Sequence, residues 1–355
     1  MGDRPAEGLP GPYLGFQLKH IGDFLMTLPA LGLVRQNCPG RPVGLVVTPR
    51  LAELARAHPW VDEVLVLDRT AGLGHLWDTA QAIRRSPYRT GLIFDGQTRS
   101  ILAASLARLP HRVGASGLYG LGGWSRFYTR DLEIKDDAWP LDSQARRGQK
   151  MAALSLGIDP GPLLRPPMPA LAKENLARAE DWAAGLIGSG PVIGLALRGM
   201  QMEKSWPLVH FAELCRRLWS ELDARLFVTG GPAESVMAQA LTRAAGVPVA
   251  DLCGQTSLLD VVALADKSDL YITVDTGTSH LAALTETPLI SIFIWTSPAL
   301  WPPQSPRARL MCYDWALARF GLTPADGPWR TAPVITPDLV FEEALSILKQ
   351  PGGNL

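Results

Sequence analysis

The sequence is poor in cysteine, in net charge and in long apolar runs, and each shortage excludes a class of protein. Its four cysteines are far apart, without a CxxC pair or a histidine at metal-ligand spacing: Cys38, Cys215, Cys253 and Cys312. This pattern argues against a zinc site and favours reduced thiols in a cytosolic protein. The 34 basic and 34 acidic residues cancel, so no general affinity for nucleic acid is expected and any anion site must be local.

Segments that enter or cross a membrane are also lacking. No uninterrupted apolar run reaches the roughly 18 residues expected of a spanning helix. The first 15 residues, MGDRPAEGLPGPYLG, are polar and contain neither a basic n-region nor an apolar core, so a signal peptide is not predicted. We therefore expect a cytoplasmic protein, for which a peripheral membrane contact stays open.

An alternation of apolar strands and helices fills most of the chain. A length of 355 residues favours two domains. Strands are predicted at 13–18, 43–47, 63–67, 90–94, 192–197, 225–229, 249–252, 271–274 and 289–293, with helical patterns between them. This order predicts an α/β fold with doubly wound parallel sheets. The Pro-rich residues 159–169 are the best linker, so the domains are placed at 1–165 and 166–355.

Three segments break this regularity. Pro29 lies inside the first predicted helix, 24–36, and indicates a kink or an early end. Residues 117–142 are dominated by Gly, Tyr, Trp and Arg, and residues 294–330 are rich in Pro and Trp. No regular elements are predicted in either segment. Pro337 and the apolar pattern after it predict a closing amphipathic helix.

The stretch 270–293 contains the strongest signal for a ligand site. A buried-type strand is followed by Asp275-Thr276-Gly277 and by a helical pattern that ends at Pro288. Doubly wound proteins hold phosphates with this arrangement of a strand, a short turn and a helix N-terminus. Thr276 and His280 are four residues apart and share a helix face. His280 is read either as a structural residue or as part of this anion site.

Other strand–helix junctions carry polar residues with alternative readings. Asp23 is either a helix N-cap or a general base that takes a proton from an attacking hydroxyl. Lys204 is either a solvated loop residue or a positive charge for a diphosphate. Arg198 would add a second donor or pair with a neighbouring acid. Glu234 follows the Gly230-Gly231 turn and could accept from ribose hydroxyls, although such turns are common without a ligand.

Several segments together resemble glycosyltransferase family 9, and the resemblance covers nearly the whole chain after Tyr13. Ile21-Gly22-Asp23 with residues 27–31 looks like the family's GD…PAL motif, and residues 58–64 look like its HPxVDEV segment. Lys204-Ser205-Trp206-Pro207 is similar to its KRWP motif. Asp275-Thr276-Gly277 with His280 is similar to its D(S/T)GxxH motif, the most specific of the set. Segments that look most like heptosyltransferase II within the family are 110–114, 138–141, 296–298 and 335–337.

The resemblance implies a GT-B fold, in which two Rossmann-like domains face a central cleft. The N-terminal domain would bind the acceptor and the C-terminal domain the nucleotide sugar, with the last helix, about 337–349, crossing back to the N-terminal domain. The implied activity is the inverting, metal-independent and cofactor-free transfer of a heptose from ADP-heptose. The implied acceptor is a lipid-linked core oligosaccharide of lipopolysaccharide, met on the cytoplasmic face of the inner membrane.

The resemblance also implies roles for individual residues. By position, Asp23 is the base and Lys204 the stabiliser of the departing diphosphate, whose fixed charge would lower the barrier to transfer. Glu234 would contact the ribose, and Arg99 would lie in the acceptor half. Thr276, Gly277 and His280 would contact the phosphates of the donor. Arg198 and Asp275 would belong to the same donor site.

Two departures from the family pattern lie on the donor side. Residues 197–202, LRGMQM, are bulky where the family usually has small residues. Ile294-Trp295 stands where Gly-Pro commonly precedes the threonine of the TSP segment. These departures put the identity of the nucleotide sugar in doubt more than the fold. Two rivals stay open: a family 9 enzyme with another donor or acceptor, and a nucleotide-sugar-binding protein that has lost catalysis.

Overall fold

The structure, a computed structural model, describes residues 8–119, 122–132, 142–198 and 205–349. The chain divides into two compact units, Met1–Ala170 and Leu171–Leu355. The division directly follows the Pro-rich segment 159–169, and the boundary predicted after residue 165 lies five residues before it.

The first unit is built on a parallel sheet. Its strands are β1 (Tyr13–Gln17), β2 (Val43–Val47), β3 (Glu63–Val66), β4 (Thr90–Ile93), β5 (His111–Gly114) and β6 (Arg130–Asp131). Its helices are α1 (Ile21–Asn37), α2 (Ala52–Ala57), α3 (Leu73–Arg85), α4 (Thr98–Leu106), α5 (Ser116–Tyr119) and α6 (Gln144–Leu156). The strand order is β3-β2-β1-β4-β5-β6. The winding direction reverses between β1 and β4, which therefore flank a topological switch point.

Helix α1 continues through Pro29, so the predicted early end is wrong. Proline inside a helix removes one hydrogen bond and costs about 3 kcal/mol. Here every residue from Phe24 to Val34 is buried, because the helix contacts β1, β2 and α6. Burial of this unbroken apolar segment offsets the local cost, which a sequence pattern alone does not reveal.

The second unit repeats the architecture. Its strands are β7 (Val192–Ala196), β8 (Arg225–Val228), β9 (Ala250–Asp251), β10 (Leu270–Val274), β11 (Leu289–Phe293), β12 (Ala308–Tyr313) and β13 (Trp329–Ala332). Its helices are α7 (Lys173–Ala184), α8 (Leu208–Leu222), α9 (Ser235–Ala245), α10 (Leu258–Asp266), α11 (Gly277–Ala282), α12 (Asp314–Arg319) and α13 (Pro337–Leu348). The parallel order is β13-β12-β11-β10-β7-β8-β9, so the switch point lies between β7 and β10.

The middle strands of the second sheet are buried along their whole length. All residues of β7, β10 and β11 are buried, as expected where both faces of a parallel sheet are covered. This burial explains why these strands were recognisable as continuous apolar runs. Strands β12 and β13 were not predicted: β12 begins with a partly exposed Ala308 and an exposed Arg309, which shorten its apolar run.

Helix α13 places its apolar face in the core of its own unit. Val340, Phe341 and Ala344 are buried there, and the helix contacts α8, β10 and β11. The fully buried Trp206 donates its indole N–H to the carbonyl of Ile335 at 2.9 Å, just before α13. The predicted crossing of this helix onto the N-terminal domain remains a prediction.

In the described ranges, none of the helices combines the length and the apolar character that crossing a membrane requires.

Candidate active site

Asp23 lies in the first turn of α1, six residues after Gln17, the last residue of β1. Its Oδ2 accepts a hydrogen bond from the backbone N–H of His20, the N-cap residue, at 3.3 Å. Within the described ranges, this is the only hydrogen bond of the carboxylate, and the side chain is partly exposed. The N-cap of α1 is therefore His20 and not, as one reading had it, Asp23, which caps the helix from its third position through the His20 N–H. In the described part of the chain this one long contact engages only Oδ2, and the role of Asp23 as the base remains a prediction.

Buried polar contacts hold this turn from the side of the sheet. Gln17, at the end of β1, donates its Nε2 to the Thr27 hydroxyl at 3.0 Å and to the Asp23 carbonyl at 3.3 Å. The Thr27 hydroxyl donates to the same carbonyl at 2.9 Å. Gln17 and Thr27 are both buried. The backbone of Asp23 is thus fixed to β1, while its carboxylate bonds to the His20 N–H instead.

Asp95 joins the two loops at the first switch point, and no sequence pattern had marked it as a site residue. It comes two residues after β4 and is only 1% exposed. Its Oδ2 accepts from the Leu18 N–H and from the Ser100 hydroxyl, each at 2.7 Å, and its Oδ1 accepts from the Gln97 N–H at 2.9 Å. Leu18 belongs to the loop before Asp23, and Ser100 to the first turn of α4. The available signal was an acidic residue directly after a buried strand.

Burial raises the pKa of Asp95 to about 6, although its three hydrogen-bond donors act in the opposite direction. The carboxyl is therefore largely ionised at neutral pH, the form that suits three donors. An unfolded aspartate titrates near pH 4, so the folded unit binds the extra proton between about pH 4 and pH 6. The stabilisation from this linkage is complete below pH 4 and is lost as the pH rises through 6.

Arg99 lies in the first turn of α4, at the same edge of the sheet as Asp23. Its guanidinium donates to the carbonyls of Ala71 and Gly72, at 2.7 and 3.2 Å, and so holds the loop before α3. Among the residues that the structure describes, its buried Nε finds no hydrogen-bond partner. Part of the guanidinium is therefore structural, and its predicted contact with an acceptor remains a prediction.

In the second unit, the predicted donor residues follow three neighbouring strands, β8, β7 and β10. Arg198 comes two residues after β7, is partly exposed and forms no ion pair within the described ranges, so its pairing alternative finds no support there. Glu234 comes after β8, and Asp275 comes directly after β10. Lys204 lies outside the described residues, as do residues 138–141 of the family resemblance.

Glu234 closes the glycine turn after β8. Its Oε2 accepts from the Gly231 N–H at 2.7 Å, within the turn that leads into α9. A Cβ on Gly230 would lie 2.0 Å from this oxygen, so the approach of the carboxylate requires glycine there. One carboxylate oxygen is therefore used locally, and the other is the one available for the predicted ribose contact.

The turn after β10 combines a bonded carboxylate with an open helix start. The Thr296 hydroxyl donates to Asp275 Oδ2, which connects the loops after β10 and β11. Thr276 is the N-cap of α11 in an extended conformation. The first N–H groups of α11, beginning with Gly277, have no acceptor within the helix. Helix α11 begins at Gly277, directly after this cap.

His280 is 4% exposed within α11. The preceding Ser279 is buried and donates its hydroxyl to Ser291 of β11 at 3.2 Å, which anchors the helix on the sheet. This burial favours the structural reading of His280, and its phosphate contact remains a prediction. Among residues the structure describes, no group of three or more His, Cys, Asp or Glu side chains is arranged to hold a metal.

Several known proteins are similar to this chain in sequence. The sequence profile of the family described as "Glycosyltransferase family 9 (heptosyltransferase)" matches residues 76–323. Lipopolysaccharide heptosyltransferase 2 of Salmonella typhimurium is 27% identical over 351 residues, covering 94% of this chain and 97% of that protein.

Two solved structures show the fold. The E. coli ADP-heptose lps heptosyltransferase II is 22% identical with a TM-score of 0.76, over 96% of this chain and 99% of that chain. The glycosyl transferase family 9 from Veillonella parvula is 18% identical with a TM-score of 0.80, over 96% and 97%. These likenesses confirm the predicted fold class, two Rossmann-like α/β domains of the GT-B type.

Replacement of Asp95 tests its structural role. Asp95→Asn keeps one acceptor oxygen but turns an NH₂ group toward a backbone or hydroxyl donor. We expect the free energy of unfolding at pH 7 to fall by about 1–3 kcal/mol, measured by urea denaturation. Asp159→Asn is the matched control, because the exposed Asp159 accepts the equivalent bond from the Gly161 N–H at 2.7 Å. Equal effects of the two substitutions would contradict the role of burial.

Proposed function

The chain belongs to glycosyltransferase family 9, and we propose that it transfers a heptose from ADP-heptose to an inner-core sugar of lipopolysaccharide. The proposal takes its donor and acceptor from relatives that are named lipopolysaccharide heptosyltransferases and from a solved structure named for ADP-heptose. The protein is proposed to act in the cytoplasm, against a lipid-linked acceptor at the inner membrane.

One observation carries the proposal: the predicted donor residues line the carboxyl edge of the second sheet around its switch point. Arg198 follows β7, and Thr276 with Gly277 follows β10, its paired neighbour. Ligands of open α/β sheets bind in the crevice at this place. Unpaired N–H groups at the start of a helix and a nearby guanidinium suit a diphosphate.

The ribose contact follows from the next strand. Glu234 lies after β8, which pairs with β7 on the side away from β10. Adjacent strands are about 4.8 Å apart, and β7 lies between β8 and β10. The strand before Glu234 is therefore two spacings, about 10 Å, from the strand that precedes the diphosphate position. Its second oxygen would accept hydrogen bonds from ribose hydroxyls.

The proposed chemistry is a displacement at the anomeric carbon of the donor. Asp23 would take the proton of the attacking acceptor hydroxyl while the bond from the heptose to the diphosphate breaks and ADP leaves. Lys204 and Arg198 would stabilise the charge that accumulates on the diphosphate, an interaction stronger in the transition state than in the bound donor. Thr276, Gly277 and His280 would orient the phosphates, and Asp275 would support their loop.

The acceptor would be recognised by the first unit. Arg99 stands beside the Asp23 loop at the same switch point, with its guanidinium preorganised by the carbonyls of Ala71 and Gly72. A basic residue at this edge suits the acidic groups of a core oligosaccharide.

An assay of ADP release with a defined lipopolysaccharide core acceptor tests the function. We expect turnover with ADP-heptose. Because the ribose and the diphosphate are common to all nucleoside-diphosphate heptoses, weaker turnover with another nucleotide heptose would indicate that the base is recognised as well. Tight ADP binding without any turnover would instead support a binding protein that has lost catalysis. Turnover with a different nucleotide sugar alone would move the protein to another donor.

The base assignment is tested by Asp23→Asn. Asparagine keeps an oxygen that can accept from His20 while it removes the basic carboxylate, so the cap and the base are separated. We expect transfer to fall about 10²- to 10⁴-fold, with ADP affinity and thermal stability close to wild type. Asp326→Asn is the matched control, because Asp326 occupies the equivalent capping position after Thr323. Wild-type turnover of Asp23→Asn would remove Asp23 from catalysis.

A further inference from the structure

An aromatic cluster with one arginine lies at the carboxyl ends of β11 and β12. We name it the Trp295 platform and define it as Trp295, Trp315 and Arg319. The rings of Trp295 and Trp315 meet edge to face, with centroids 6.3 Å apart. Tyr313, the last residue of β12, supports Trp315 from 5.9 Å. The platform is therefore a preformed surface.

Arg319 is held by the ring of Trp295 and not by an acidic side chain. Its guanidinium carbon lies 3.7 Å from the centre of the Trp295 ring, the geometry of a cation–π contact. Within the described ranges, Arg319 has no carboxylate partner. Its N–H donors are therefore positioned but unused. Trp295 is 36% exposed and Trp315 44% exposed, so large aromatic rings remain open to solvent beside these donors.

The platform adjoins the proposed donor edge. Trp295 directly precedes Thr296, whose hydroxyl donates to Asp275 at the end of β10. Strand β11 pairs with β10, and β12 pairs with β11. The platform thus begins one strand spacing from the turn at Gly277 and extends away from the switch point.

The order of the strands gives the order of the ligand's parts. On the proposed function, the ribose lies at β8 and the diphosphate at β10, with β7 between them. The third component, the transferred sugar, must then continue toward β11. From β8 to β11 there are three strand spacings, about 14 Å, the scale of a ribose, a diphosphate and a pyranose in a row.

We propose that the Trp295 platform binds the transferred sugar of the nucleotide diphosphate donor, with Trp295 as a specificity-determining residue; this inference rests on the proposed function. The apolar C–H face of a pyranose packs against an aromatic ring and excludes water from it. The N–H groups of Arg319 donate to hydroxyls at the rim of the sugar ring. A sugar thus finds an apolar surface and hydrogen-bond donors side by side.

The experiment compares the affinities for ADP and for ADP-heptose by calorimetry. The proteins are wild type, Trp295→Ala, Trp295→Phe and the control Trp124→Ala, whose tryptophan is also 36% exposed but lies in the first unit. We expect Trp295→Ala to bind ADP as wild type does and to bind ADP-heptose about tenfold more weakly. Trp295→Phe should recover most of the loss, and Trp124→Ala should match wild type with both ligands.

The outcomes separate this inference from the proposed function. If Trp295→Ala binds ADP-heptose with wild-type affinity, the proposed sugar site is overturned, while ADP-heptose stands as the proposed donor. A parallel loss of ADP affinity in Trp295→Ala also overturns it, because the tryptophan would then support the whole edge and not the sugar. Absence of ADP-heptose binding to the wild-type protein overturns the proposed donor and, with it, the sugar site.

Discussion

The topology of parallel strands is the constraint on which the whole protein depends. Because the strands of each sheet are parallel, every loop that leaves the carboxyl end of a strand opens at the same edge of its sheet. The first strand of each unit, β1 or β7, has later strands added on both sides, so its loop faces that of β4 or β10. Polar residues far apart in the chain, such as Asp23 and Arg99, are thereby brought to one edge without any contact between their side chains.

Buried hydrogen bonds turn this general arrangement into fixed positions. In the first unit, Asp95 binds the loops on both sides of the switch point through three donors. In the second, Thr296 joins Asp275, and Ser279 ties α11 to β11. Such groups are costly to bury unpaired, which makes each network hold a single geometry. Asp23, Glu234 and Asp275 stand on these supports and are partly exposed themselves, whereas His280 is buried.

Much of the fold follows from the sequence, because β7, β10 and β11 are buried on both faces and read as continuous apolar runs. Strand β12 could not be predicted in this way, since Arg309 at its start is exposed. Helix α1 was wrongly expected to end early at Pro29, because the cost of the proline is offset by tertiary packing that no local pattern contains. In the site, strand ends followed by polar residues were sufficient to select Asp23, Glu234 and Asp275. Asp95 and Arg319 were missed because their partners, Leu18 and Trp295, are distant in the chain and are joined to them only by the fold.

The central claim is that the loop after β10 holds the donor's diphosphate. A crystal structure of Asp23→Asn with ADP-heptose measures this directly, since the substitution slows transfer without removing a donor residue. The account predicts phosphate oxygens within hydrogen-bond distance of the Gly277 N–H, with the ribose toward Glu234 and the heptose toward Trp295. A diphosphate bound at the edge of the first sheet, or a donor lying in the reverse direction along the second, would contradict it.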